Sequence, residues 1–205
     1  MTTMSEAPAA DRPAGLRERK KARTRAAIRE HALRLFREQG YHETTVEQIA
    51  EAAEVSPSTF FRYFPTKEDV VLLDELDVIT LAAFERQPAG LTPVAAFRAA
   101  AAEAFAALTE EELARLEETA ALTLTVPELR ARAIDELSRT IGVIAQAAAK
   151  RTGRDPDDFA VRNLAGAVVG VIMSATMPWA EPHHTEDMFG RIDAALAHLE
   201  AGLPL

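Results

Sequence analysis

The sequence predicts an all-α protein of about nine helices. Three observations carry that expectation. Apolar residues recur at i, i+3, i+4 and i+7 through most of the chain. Helix-start signals, a Ser, Thr or Asp followed by Pro or an acidic residue, punctuate it at regular intervals. No segment shows the sustained alternation of β-branched and polar residues that a sheet needs. With 205 residues, 48% of them hydrophobic, there is material for a small unit and a larger one with a sizeable core. The absence of cysteine excludes disulfides, zinc-thiolate sites and thiol catalysis. No internal repeat is visible.

Residues 1–16 are rich in Ala and Pro, lack the apolar segment of a signal peptide, and are expected to be a disordered tail. Residues 12–29 then carry a net charge of +7. Ile28, Ala32, Leu35 and Phe36 form the first apolar stripe, and Gly40 ends this helix at C′. A helix with a basic first half and an apolar second half is the expectation.

Residues 41–68 hold the most specific pattern. Thr45 with Gln48, or Thr44 with Glu47, offers a capping box, and Val46, Ile49, Ala50 and Ala53 form an inward stripe. Glu54-Val55 makes the turn, with Val55 expected to fill the angle between two helices. Ser56 caps the next helix and Pro57 occupies its first position, where a missing N–H costs nothing. Phe60 and Phe64, four apart, are assigned to the core. Ser58, Thr59, Phe61, Arg62 and Tyr63 then fall outside it. Pro65 stops the helix, Thr66 caps the next, and Lys67 is free to reach a phosphate. Exposed aromatics beside hydroxyls and a guanidinium suit a DNA-reading helix-turn-helix, whose polar groups bond phosphates and base edges. An ordinary helical hairpin with surface aromatics is the alternative. Charge favours DNA: residues 1–66 have a net charge of +2 and residues 67–205 a net charge of −11, a basic end on an acidic body.

Gly40-Tyr41, Thr45-Val46, Ile49-Ala50, Val55-Ser56, Thr59-Phe60, Arg62-Tyr63-Phe64 and Lys67-Glu68 together resemble the DNA-binding domain of the tetracycline-repressor (TetR) family, over roughly residues 20–70. The resemblance implies a homodimer whose first three helices bind an operator and whose remaining helices form a ligand pocket and the dimer interface. It implies DNA contacts by Thr45, Ser56, Ser58, Thr59, Phe61, Arg62, Tyr63 and Lys67. Two departures stand out. Glu54 replaces the family's usual turn glycine, and would be strained by about 1 kcal/mol if it keeps a positive φ. Phe61 replaces a frequent tyrosine, which removes one hydroxyl.

The domains expected are therefore a helix-turn-helix DNA-binding domain at 17–66 and a ligand-binding and dimerisation domain at 67–205. The second reads as helices over 67–86, from Thr92-Pro93 to Leu108, after Thr109-Glu110, from Pro127 to near Gly153, from Asp155 to Met177, and after Thr185. The apolar run 164–180 is interrupted by Ser174, Thr176 and Pro178, which argues for a helix buried on most sides rather than a membrane span. Its Gly166 and Gly170 let another helix approach, and helices 156–177 and 185–202 are the expected dimer interface. His183 and His184 lie near Glu181 and Glu186 without metal-site spacing, so no metal, cofactor or membrane partner is expected. No nucleophile elbow, phosphate loop or dinucleotide fingerprint is present, and the protein is not expected to be an enzyme. Phe84, Phe97, Phe105, Phe159 and Trp179, with Arg130 and Arg132 for an anionic head group, are the candidates for an apolar effector, acyl-CoA-like by overall resemblance. The expectation is a cytoplasmic repressor released from its operator by that effector. A ligand-independent or activating regulator and a helical protein-interaction module are the alternatives.

Overall fold

The computed structural model describes residues 15–72, 75–177 and 187–205. The regular structure among them is helical. Trp179, His183, His184 and the tail up to residue 14 lie outside the described residues. The chain divides into two compact units between Pro65 and Thr66.

The first unit holds α1 (Leu16–Gln39), α2 (Val46–Ala52) and α3 (Pro57–Tyr63). Leu16, expected in the disordered tail, is instead the first residue of α1. The buried stripe of α1 is Ile28, Ala32, Leu33 and Phe36. Leu33 takes the place expected for Leu35, which is only half-buried. Gly40 closes α1 at φ 93°, its N–H bonded to the Phe36 carbonyl. Tyr41, directly after that turn, lays its ring 5.1 Å from Phe36. A polar knot then ties α1 to α2. Gln39 Nε2 donates to Thr44 Oγ1 at 3.1 Å and to Gln48 Oε1 at 3.0 Å, while Thr44 donates to the Gly40 carbonyl at 2.8 Å.

The second unit holds α4 (Asp69–Leu72), α5 (Glu75–Arg86), α6 (Pro93–Ala106), α7 (Glu110–Thr125), α8 (Pro127–Thr152), α9 (Phe159–Thr176) and α10 (Met188–Glu200). The start signals read from sequence act as caps. Thr92 accepts from the Ala95 N–H, and Thr109 forms a reciprocal capping box with Glu112. The N-cap of α9 is Asp158 and that of α10 is Asp187. Gly153 ends α8 in the left-handed conformation at φ 68°, a cost that glycine escapes.

The core of this unit is assembled from small residues on α6 and α8 (Ala96, Ala100, Ala145, Ala148) against Phe84, Phe97, Val168, Ile192 and Leu196. Alanine stripes let helix axes approach closely, so the few large side chains fix the register. The apolar helix α9 is long and apolar enough to cross a membrane, with a mean hydropathy of 1.5, but only 28% of it is buried inside the protein. The expectation of a helix buried on most sides is therefore corrected: α9 packs along one face and leaves Gly170, Met173 and Ser174 exposed.

One ion pair braces α6 against α10. Arg98 Nε and its terminal nitrogen donate to the two carboxylate oxygens of Asp193 at 2.6 and 2.8 Å. Hydrogen bonding from Arg98 holds the Asp193 carboxyl below the usual carboxylate range. A depressed folded-state pKa means that the stabilisation is complete above the unfolded value of about 4 and is lost as pH falls through the folded value. Asp193→Asn should cost about 1 kcal/mol at neutral pH, a figure kept small because both groups are about a third exposed. In urea titrations the gap between wild type and variant should hold from neutral pH to about pH 4 and close below it.

Candidate nucleic-acid interface and ligand cavity

The first unit presents its polar groups through two very short helices. Neither is stable alone, since isolated helices need roughly 12–15 residues. Caps and core anchors hold them. Thr45 Oγ1 accepts the Gln48 N–H while Gln48 Oε1 accepts the Thr45 N–H at 2.9 Å. Ser56 Oγ accepts the Thr59 N–H at 3.1 Å and lies 2.9 Å from both the Ser58 and Thr59 hydroxyls. Phe60 and Phe64 are fully buried, their rings 5.9 Å apart, and the Arg25 guanidinium sits 5.5 Å above the Phe64 ring.

The outer side of α3 follows from that anchoring. Ser58, Phe61 and Arg62 are exposed, with Phe61 at 49%, and Thr59 and Tyr63 are half-buried. Arg62 lies 5.4 Å from the Tyr63 ring, a cation–π contact that stiffens both. A groove of about 660 Å³ runs between α1 and α3, lined by Arg17, Glu18, Lys20, Lys21 and Thr24 on one side and Val55, Thr59, Arg62 and Tyr63 on the other, so its α1 wall carries three cations against one carboxylate. The basic run of α1 therefore shares a concavity with the outer face of α3. Of the expected contact residues, Thr59, Arg62 and Tyr63 line this groove. Thr45 and Ser56 are N-caps with occupied hydroxyls. Lys67 belongs to the second unit, where it is half-buried.

Glu54, in the turn, adopts φ +54°, the conformation that its substitution for glycine made questionable. The turn is held by the Val55 N–H on the Ala50 carbonyl at 2.9 Å. Val55 itself is half-buried between α2 and α3.

In the second unit an apolar cavity of about 440 Å³ opens between α4–α8 and the ends of α9 and α10. Phe97 and Phe105 line it, with Leu116, Leu124, Leu137 and Met188. Arg130 is on its wall, exposed and in no ion pair among the described residues. Two residues expected in the lining are corrected: Phe84 is a core residue, 3% exposed, packed 6.2 Å behind Phe97 with Arg151 stacked over it, and Phe159, at the start of α9, is exposed and away from both hollows. A second cleft of about 320 Å³ lies against another stripe of α8, lined by Arg132, Glu136, Arg139 and Val143 together with Asp69. Leu72, Asp77, Thr80 and Phe97 border both hollows. Arg132, paired with Arg130 in the sequence reading, faces this other cleft, 3.8 Å from both Asp69 and Glu136, and Arg139 also bonds Glu136. Sequence reasoning missed Thr80 and Thr119. Both are polar residues on inward stripes, and binary patterning scores such positions as surface.

No group of His, Asp and Glu among the described residues has the geometry of a metal site. Two family models match the chain: residues 28–73 match bacterial regulatory proteins of the tetR family, and residues 91–204 match the MftR C-terminal domain. The transcriptional regulator TcmR of Streptomyces glaucescens is 40% identical over 151 residues, 70% of this chain and 67% of that one. The transcriptional regulator MftR of Mycobacterium tuberculosis is 28% identical, covering 78% of this chain and 82% of that one. The crystal structure of Thermus thermophilus FadR, a TetR-family repressor in complex with lauroyl-CoA, superposes with a TM-score of 0.52 at 28% identity, over 88% of this chain and 95% of that one.

The strained turn is directly testable. Glu54→Gly should raise stability by about 0.5–1 kcal/mol, because relief of the left-handed strain outweighs the added freedom of the unfolded chain. A urea midpoint that stays level or falls would show that Glu54 sits in the turn without strain.

Proposed function

The chain belongs to the tetR family of bacterial regulatory proteins and is a DNA-binding transcriptional regulator; from that premise we propose that it is a homodimeric cytoplasmic repressor, released from its operator by a largely apolar, acyl-thioester-like effector. The α1–α3 groove is the observation that carries the DNA side of this reading. In it Arg17, Lys20 and Lys21 grip phosphates and fix register, while Arg62 and the other exposed groups of α3 reach base edges in the major groove. Ser58, Phe61, Tyr63 and Lys67 complete the proposed contact set. Thr45 and Ser56 serve it by orienting the helices they cap.

The effector side rests on the apolar cavity, whose volume suits a small ligand, and on the lauroyl-CoA held by the Thermus thermophilus relative. Phe97 and Phe105 contact the apolar part, and Arg130 meets an anionic group at the edge. The helices that follow the recognition unit in sequence, α4 and α5, supply Val71, Leu72, Leu76, Asp77 and Thr80 to the cavity wall. A ligand that prefers a shifted α4 then draws the population away from the state in which two recognition helices fit successive grooves. For the dimer, α9 and α10 are the proposed surface. A methyl group placed on Gly166 or Gly170 would meet no neighbouring atom within 4 Å, which leaves room for a second copy's helix.

The test is fluorescence anisotropy on labelled DNA from upstream of the protein's own gene, with and without lauroyl-CoA. Tight binding that lauroyl-CoA releases is expected; tight binding that no acyl thioester disturbs would remove the effector assignment and leave the regulator. On the same DNA, Arg62→Ala should cost about 1–3 kcal/mol and relax sequence preference. Replacing Arg17, Lys20 and Lys21 by Ala should weaken all sequences alike and lower the salt slope by about 2–3. An unchanged slope would place the basic run off the phosphates.

A further inference from the structure

We propose that Thr80 is a specificity-determining residue, and that the effector carries an oxygen, as hydroxyl or carbonyl, within its apolar skeleton where it meets the Thr80 hydroxyl. This inference rests on the effector reading above and narrows its ligand class.

Four threonines line the apolar cavity: Thr80, Thr119, Thr123 and Thr176. Three of them spend their hydroxyls on their own helices. Thr119 Oγ1 donates to the Arg115 and Leu116 carbonyls at 3.0 and 2.9 Å, Thr123 to the Thr119 carbonyl at 2.8 Å, and Thr176 to the Ile172 carbonyl at 3.1 Å. Such back-bonding uses a threonine's single donor and leaves the cavity only its methyl group and acceptor lone pairs. The same habit recurs outside the cavity at Thr125, Thr140 and Thr152.

Thr80 departs from it. Thr80 is 8% exposed, borders both hollows, and makes no hydrogen bond among the described residues. Its hydroxyl opens on the cavity rather than being sealed, so an apolar ligand that covers it without offering a partner incurs its desolvation cost. The cost is recovered when a ligand oxygen replaces the missing partner. Leu72, Leu81 and Phe97 on the neighbouring walls cannot do so, and the polar side chains that line the hollows, among them Asp77 and Thr140, form no hydrogen bond to it. Asp77 lies one turn earlier on α5 and borders the same hollows, so α5 presents a short polar strip to them.

Discrimination at such a site is asymmetric. An apolar wall rejects an added hydroxyl only weakly, whereas a wall with a polar group to satisfy strongly penalises the analogue that lacks the partner. A plain acyl chain would fill the volume and leave Thr80 unpaired. An oxygenated chain of the same length would fill the volume and pair it.

The experiment compares operator release by lauroyl-CoA with release by dodecanoyl-CoA probes that carry one hydroxyl at successive positions of the chain, using the full-length protein. At least one hydroxylated probe should act at about tenfold lower concentration than lauroyl-CoA. In Thr80→Val, which keeps the shape and removes the hydroxyl, that preference should vanish, because the hydroxylated probe loses its partner and lauroyl-CoA no longer leaves a hydroxyl unpaired. Thr80→Ser should restore the preference, and the thermal melting of both variants reports whether they fold. No preference in the wild type, or a preference that survives in Thr80→Val, would overturn the assignment of Thr80 alone. Failure of every thioester, hydroxylated or plain, to release the wild type would overturn the acyl effector and this inference with it.

Discussion

The existence and orientation of α3 depend on the burial of Phe60 and Phe64. A seven-residue helix cannot pay its own nucleation, so α3 exists only because two aromatic rings, one turn apart, are sealed in the first unit's core. That burial fixes the rotation of the helix as well as its existence. With positions 60 and 64 turned inward, helical geometry leaves Ser58, Phe61 and Arg62 outside. The Ser56 cap, the Pro57 start and the Tyr41–Phe36 contact refine the orientation.

How much of this was legible in the sequence follows from the range of the interaction that decides each feature. Caps act over three residues, so Thr45, Ser56, Thr92 and Thr109 were readable in place. The Phe60–Phe64 face was readable because a local period fixes it. Leu33 against Leu35 was not, because both lie near one apolar stripe and the choice depends on which neighbour packs there. Phe84 went astray for a related reason: a phenylalanine in an apolar helix is the same letter whether it lines a hollow or backs the residue that does. The exposure of α9 was hidden because its hydropathy resembles that of a fully enclosed helix, while Gly166 and Gly170 signal close approach without naming the partner. Thr80 was invisible for the subtlest reason. Its role turns on where one hydroxyl points, and no pattern in the sequence encodes a side-chain torsion.

The two units divide their physics cleanly. The first uses charge at the surface and aromatic burial beneath it. The second uses alanine-rich packing, in which small side chains bring helices together and a few large ones define the spaces left over. A core built in this way forms hollows readily, because alanine fills little volume at any gap between helices. The charged groups near the second cleft, Asp69, Arg132, Glu136 and Arg139, are already engaged with one another. Their mutual pairing leaves the apolar cavity short of fixed charge, with Arg130 at its edge and Asp77 on its wall.

The acidic body is part of the same logic. Counterion release gives any basic surface an affinity for any DNA, and that affinity carries no sequence information. Residues 67–205, at a net charge of −11, repel a polyanion over the Debye length of about 8 Å at physiological salt. In the proposed reading, attraction is thereby confined to the α1–α3 groove, and indiscriminate binding through the rest of the surface is suppressed. The basic run can then be strong enough to anchor phosphates without making the whole protein adhesive. On the proposed repressor mechanism, a modest loss of geometric fit between two recognition helices would be enough to release such a protein, because little non-specific affinity remains to hold it. Weak overall attraction and sensitivity to a ligand are in that sense the same design property, set by the charge difference between the two ends of the chain.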